Sequence, residues 1–158
     1  MRTLVDGVFV YGSLKRGEAN WRLAAHCTSR ETAVARGTLY QQRNGFPAMT
    51  TQGDGQVHGE LLRFDDLGPT LQNLDKLERY DPAEPQNSKY IRVPLEVVGV
   101  SGQTLRAWGY VFTPETVKQT GCRPIASGVW QGSRIARYTI RAARFVESIC
   151  KKSRRIPR

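Results

Sequence analysis

Hydrophobic positions fall in short blocks along this chain, and the spacing changes from block to block. Val8, Phe9 and Val10 stand between Gly7 and Tyr11 as a β-branched and aromatic run that Gly12-Ser13 stops, the pattern of a buried strand feeding a tight loop. Val34 to Tyr40, Val57 to Phe64, Ile91 to Val100 and Thr104 to Phe112 also read as strands, separated by Asn44-Gly45, Gly53-Asp54-Gly55 and Ser101-Gly102. The last two, joined by Ser101-Gly102-Gln103, predict a hairpin. Helical spacing takes over in Gly68 to Tyr80, where Leu71, Leu74, Leu77 and Glu78 recur on one face. A shorter helix is expected over Ala19 to His26, with Asn20 off its apolar side. Ser133 is placed to cap a final helix over 133–150, in which Ile135, Tyr138, Ala142, Phe145 and Ile149 recur at three- and four-residue intervals. Residues 151–158 are basic with little to bury, and read as a disordered end. The sum is a single α+β domain over 1–132 with a basic helical appendage.

Charge changes this picture only at one end. The net charge of +10 suggests a polyanion partner until it is located: residues 1–133 carry 15 Lys and Arg against 13 Asp and Glu, and residues 134–158 carry 9 against Glu147 alone. The folded part is close to neutral, so attraction to nucleic acid or an anionic membrane would belong to the appendage; a solvated helix with a frayed end is the favoured reading of that segment. No apolar run reaches the roughly 18 to 20 residues a bilayer crossing needs, and the chain reads as cytoplasmic. Cys27, Cys122 and Cys150 are odd in number and irregularly spaced, which suits reduced thiols better than a disulfide framework or a zinc site.

Candidate chemistry concentrates in two places. In Tyr11-Gly12-Ser13-Leu14, glycine and serine at the end of a buried strand can aim backbone N–H groups at an anion, although such a tripeptide by itself is more often a simple turn. In Leu74-Asp75-Lys76-Leu77-Glu78-Arg79-Tyr80, helical spacing sets Glu78 beside the apolar stripe, where partial burial would raise its proton affinity and make it a general base; the competing reading is a surface glutamate paired with Arg79 or Lys76. Tyr11 is read equally as a pocket residue and as core. Tyr90 and Arg92 would line the pocket or pair on a strand face, and Tyr110 and Trp130 are expected in the core. His26 and His58 lack the spacing of metal ligands, and Cys122 lacks a base.

Several segments together carry a family resemblance. Val8-Phe9-Val10-Tyr11-Gly12-Ser13-Leu14-Lys15 resembles the first strand and substrate loop of γ-glutamylcyclotransferase-like proteins, which include γ-glutamylamine cyclotransferases and the plant avirulence-induced proteins. Gly45-Phe46-Pro47-Ala48, Val57-His58-Gly59-Glu60-Leu61, Leu74-Asp75-x-x-Glu78-x-Tyr80, Tyr90-Ile91-Arg92 and Ser127-Gly128-x-Trp130 are similar to further family segments in the same order, over residues 7–130. The resemblance implies a mixed β-barrel of about five to seven strands with flanking helices. It also implies a cavity shared by the Tyr-Gly-Ser-Leu loop and Glu78, with Tyr11, Gly12, Ser13, Leu14, Tyr90 and Arg92 on the substrate. The implied reaction converts a γ-glutamyl compound to 5-oxoproline and an amine, with Glu78 as acid and base and without metal or cofactor. Many relatives have glycine where this chain has Arg79, a cation expected to narrow the entrance or to pair with Glu78. The alternative to an enzyme is a module of the same fold that binds a small acidic ligand without turnover.

Overall fold

A computed structural model of the chain describes residues 5–132. Among them the elements run β1 (Gly7–Val10), β2 (Ser29–Arg36), β3 (Thr38–Gln41), β4 (Pro47–Thr50), β5 (Gln56–Arg63), α1 (Leu67–Glu78), β6 (Ile91–Gly99), β7 (Thr104–Val111), α2 (Pro114–Thr120) and β8 (Arg123–Pro124). Short 3-10 turns occupy Trp21–Ala24 and Pro85–Asn87. The helix expected over 133–150 and the basic end at 151–158 lie outside the described residues. No helix among those described is long and apolar enough to cross a membrane.

Five strands close into a barrel in the order β1-β5-β2-β6-β7. Neighbours are antiparallel except at the seam, where β1 runs parallel to β7 with Gly7 opposite Ala107 and Val8 opposite Trp108. Closure leaves the barrel no unpaired edge. A second sheet, β4-β3-β8, stands against it. The fold is therefore the α+β mixed barrel with flanking helices that the sequence predicts.

The uninterrupted apolar run of β1 follows from burial on both faces. Side chains alternate along a strand, so Phe9 and Tyr11 join the barrel interior with Ala33, Val57, Leu61 and Val97, while Val8 and Val10 pack on the outside with Leu62, Leu71, Leu74 and Tyr110 beneath α1. Each such side chain fully buried stabilises the fold by roughly 1.5–3 kcal/mol. Opposite β1, Gly59 of β5 leaves room for a backbone: a Cβ there would stand 2.2 Å from the Val10 carbonyl oxygen and 2.8 Å from the Phe9 ring. The neighbouring Glu60 accepts hydrogen bonds from the Arg16 N–H at 2.6 Å and from Arg30 at 2.8 Å, which ties the chain after the first loop to the barrel wall.

Three departures from the sequence reading have physical causes. The expected strand Val34–Tyr40 is two strands in different sheets, divided at Gly37, and β2 begins earlier, at Ser29. Its polar first half, in which Ser29 and Thr32 are exposed and Arg30 and Glu31 partly buried, pairs through backbone and ions, with Glu31 on Arg63 at 2.8 Å and Arg30 on Glu60 at 2.8 Å. The helix expected over Ala19–His26 is one 3-10 turn, and Asn20 is buried instead of facing water. α2 shows no apolar stripe because none of its residues is buried; Thr113 caps it by accepting from the Thr116 N–H, and Pro114 opens the first turn.

α1 ends two residues earlier than expected. Arg79 takes a left-handed backbone, φ 54° and ψ 41°, and among the described residues it is the one non-glycine with positive φ. The Arg79 N–H then donates to the Lys76 carbonyl at 3.3 Å and the Tyr80 N–H to the Asp75 carbonyl at 2.8 Å, closing the last helical turn. Glu78 is thereby the final residue of the helix, at its carboxyl end.

The tight β1–β5 approach yields a stability prediction. Gly59→Ala is expected to lower the unfolding free energy by about 2–3 kcal/mol, because the rigid backbone of β1 has to move. Urea denaturation checks this; an unchanged midpoint would contradict the packing described.

Candidate active site

Where β1 ends, the chain turns at Tyr11-Gly12-Ser13-Leu14, closed by the Lys15 N–H on the Gly12 carbonyl at 3.0 Å. Asn20 holds the turn from behind, its N–H on the Ser13 carbonyl at 2.8 Å and its side-chain amide on Ser13 Oγ at 3.0 Å. Gly12 is required by Pro47, since a Cβ would lie 2.6 Å from the proline Cγ. The N–H groups of Gly12, Ser13 and Leu14 donate to no acceptor among the described residues. This loop, Asn20, Gln42, Pro47, Glu78, Arg79, Lys89, Tyr90 and Tyr110 line one cavity of about 360 Å³. That volume lies within the range of roughly 300–1,000 Å³ usual for small-molecule sites.

The three cavity tyrosines have committed their hydroxyls elsewhere. Tyr11 donates to the Tyr110 carbonyl at 2.6 Å and accepts from the Met49 N–H at 3.2 Å. Tyr90 donates to the Pro47 carbonyl at 2.6 Å and accepts from Gln42 at 2.7 Å. Tyr110 donates to Asp75 Oδ1 at 2.6 Å. Burial pushes all three phenols well above their ordinary titration range, and the charge of Glu78 adds to the shift. They hold their protons and build the walls.

Glu78 differs from them. It is partly buried, and among the described residues its carboxyl receives no hydrogen bond and makes no ion pair. Loss of hydration raises its pKa from 4.5 to about 7. The expected Glu78–Arg79 pair is absent among the described ion pairs, because the left-handed turn at Arg79 carries that side chain along the exposed rim.

Of the residues expected at the site, Tyr11, Gly12, Ser13, Leu14, Glu78 and Tyr90 share the cavity. Arg92 does not line it: its Nε lies 3.0 Å from Asp75 Oδ1, and its guanidinium sits 4.8 Å from the Trp108 ring centre and 5.8 Å from that of Tyr80. It therefore secures α1 one turn before Glu78. His26 meets Thr70 at 3.1 Å, away from the cavity. Asn20 and Gln42 are site residues that sequence reasoning missed; both are polar residues in irregular segments, and only their tertiary contacts set them apart. Trp130, expected in the core, is 3% exposed there, and its indole N–H donates to the Gly45 carbonyl at 3.0 Å. Lys15 donates to the Trp130 carbonyl at 2.6 Å, and its half-buried ammonium has a pKa lowered by desolvation. Three sequence-distant segments thus brace one another around the loop.

Comparison with known proteins bears on the family and the fold. The family model for γ-glutamyl cyclotransferase, AIG2-like proteins matches residues 8–132. The chain is 30% identical over 121 residues to the γ-L-glutamyl-butirosin B γ-glutamyl cyclotransferase of Niallia circulans, covering 75% of this chain and 74% of that protein. Among solved structures, YkqA from Bacillus subtilis superimposes with a TM-score of 0.55 at 25% identity; the match covers 78% of this chain but only 38% of YkqA. An AIG2-like protein from Mus musculus shares the fold with a TM-score of 0.52 at 24% identity, over 70% of this chain and 80% of that one.

The isolated carboxyl has a measurable consequence. A pKa raised on folding favours the protonated form, so this contribution to stability is complete below pH 4.5 and is lost as pH rises through about 7. Glu78→Gln removes the dependence. The variant is expected to match the parent near pH 4 and to exceed it near pH 8 by on the order of 2 kcal/mol, read from urea unfolding at both pH values. A constant difference between the two proteins would mean that Glu78 titrates normally.

Proposed function

The chain belongs to the γ-glutamyl cyclotransferase, AIG2-like family, and from that premise we propose that Glu78 drives intramolecular aminolysis of a γ-glutamyl amide. The observation that carries this reading is a single unpaired carboxyl, with a pKa of about 7, in a cavity lined also by the Gly12–Leu14 loop. The substrate's α-amine attacks its own γ-carbonyl carbon, a five-membered ring closes, and the amide C–N bond to the leaving amine breaks. Glu78 takes one proton from the ammonium to free the attacking amine and passes it to the departing nitrogen, then relays the second proton that the attacking nitrogen loses as the ring closes. The leaving group takes up both and departs as an ammonium, so protons balance without water as a reactant. A group poised near neutral pH suits both transfers.

The unpartnered N–H groups of Gly12, Ser13 and Leu14 are suited to the substrate carboxylate or to the oxyanion that forms at the γ-carbonyl. Folding the flexible glutamyl chain into attack geometry contributes a further share of the rate. The phenols shape the walls, since each hydroxyl already has its partners. Arg92 and Asp75 act on the carboxyl only through the helix that carries it.

Incubation with γ-glutamyl amines and γ-glutamyl amino acids should release 5-oxoproline. Glu78→Gln should lower kcat by at least about a hundredfold, within the usual range for losing a general base. For the parent protein, kcat/KM should rise with pH through about 7 as the carboxylate forms. Binding of these compounds without any release would instead identify a module that holds its ligand without turnover.

A further inference from the structure

The cavity lining holds one carboxylate and two cations. Glu78 is the carboxylate; Arg79 and Lys89 are the cations, and both are exposed, so they form the rim. Among the described residues neither is ion-paired with a carboxylate. Each is nonetheless held at the rim. Lys89 Nζ stands 5.6 Å from the centre of the Phe112 ring, which packs 4.6 Å from the ring of Tyr90, itself fastened to Pro47. Arg79 occupies a left-handed backbone position at φ 54°, a conformation that suits glycine and is unfavourable for a long side chain. The left-handed turn closes α1, a task glycine performs without that cost, so an arginine kept at this place on the cavity rim points to a use for its side chain.

We infer that Arg79 and Lys89 are specificity-determining residues that select substrates whose departing amine carries an anionic group, the γ-glutamyl amino acids, over those that release a neutral or cationic amine. The inference rests on the cyclotransferase reading and extends it to the leaving group. Glu78 and the loop N–H groups serve the glutamyl part, which reacts inside the cavity. The group beyond the scissile bond projects toward the rim and meets two positive charges there. A carboxylate at that place is attracted, and an ammonium is repelled by both cations and attracted only by Glu78 deeper in. Exposed charge contacts are individually weak, and two acting together amount to about a tenfold preference, which salt reduces.

The test compares γ-glutamyl-alanine, γ-glutamyl-ethylamide and the γ-glutamyl derivative of 1,5-diaminopentane, whose leaving groups are anionic, neutral and cationic. In 5-oxoproline release, kcat/KM should fall in that order, by about tenfold between the ends, and the spread should narrow at about 0.5 M salt. Arg79→Gly, which relieves the backbone, and Lys89→Gln, at an exposed position, should each reduce the spread, and the double variant should remove it while still processing the neutral amide. A flat or reversed order in the parent, or an unchanged spread in the double variant, overturns the inference. Calorimetric binding of the same three compounds to Glu78→Gln separates this from the fate of the proposed reaction. Ordered binding without turnover in the parent would keep the rim's role and refute the catalysis, whereas absence of both binding and turnover would refute the two together.

Discussion

The hydroxyl of Tyr11 is the point on which the other parts converge. It donates to the backbone of β7 and accepts from the backbone of β4, so one buried group joins the barrel strand it extends, the seam strand and the second sheet. The line continues through Tyr110 to Asp75 and from Asp75 to Arg92, which links β7, α1 and β6. A buried hydroxyl of this kind stabilises a fold when both its donor and its acceptor capacity are used. Tyr11 is satisfied on both sides, and the line it begins fixes how far α1 can shift across the barrel. The position of Glu78 is therefore set by contacts made away from the cavity.

This explains why so few polar groups remain available for chemistry in a cavity lined by three tyrosines. The phenols, Gln42, Asn20 and Pro47 form contacts with one another and with the backbone, and they define the space. Among the described residues, the polar groups of the cavity lining left unpartnered are the Glu78 carboxyl, the loop N–H groups and the buried Oε1 of Gln42. Glu78 also ends its helix, where the backbone carbonyls concentrate negative potential, a setting that works with desolvation against ionisation. Its proton affinity is thus a property of the fold's layout, raised by burial.

Much of this was legible in the sequence where burial is two-sided or periodic. β1 betrays itself by an apolar run without alternation, α1 by its leucine spacing, and the β6–β7 hairpin by its turn. At the candidate site, helical phase placed Glu78 beside Leu71 and Leu74 in the sequence, and the turn glycine marked Gly12, whose contact with Pro47 only the structure shows. The first half of β2 was hidden because its residues are polar, with Arg30 and Glu31 held by ion pairs in place of apolar burial, and α2 because it buries nothing. Asn20, Gln42 and the true place of Arg92 depend on partners far along the chain, which no local pattern encodes.

The contrast between the deep hydroxyl line and the rim also bears on how this scaffold can diverge. A change at Tyr11, Tyr110 or Asp75 leaves a buried partner unsatisfied, so these positions tolerate little drift. Arg79 sits in a backbone conformation that opposes its side chain, and that side chain makes no hydrogen bond or ion pair among the described residues. Replacement by glycine there meets no opposition from folding, and a lineage could alter the rim charge without first acquiring a compensating change elsewhere. The part of the cavity most exposed to selection by substrate is, for a physical reason, the part least restrained by the fold.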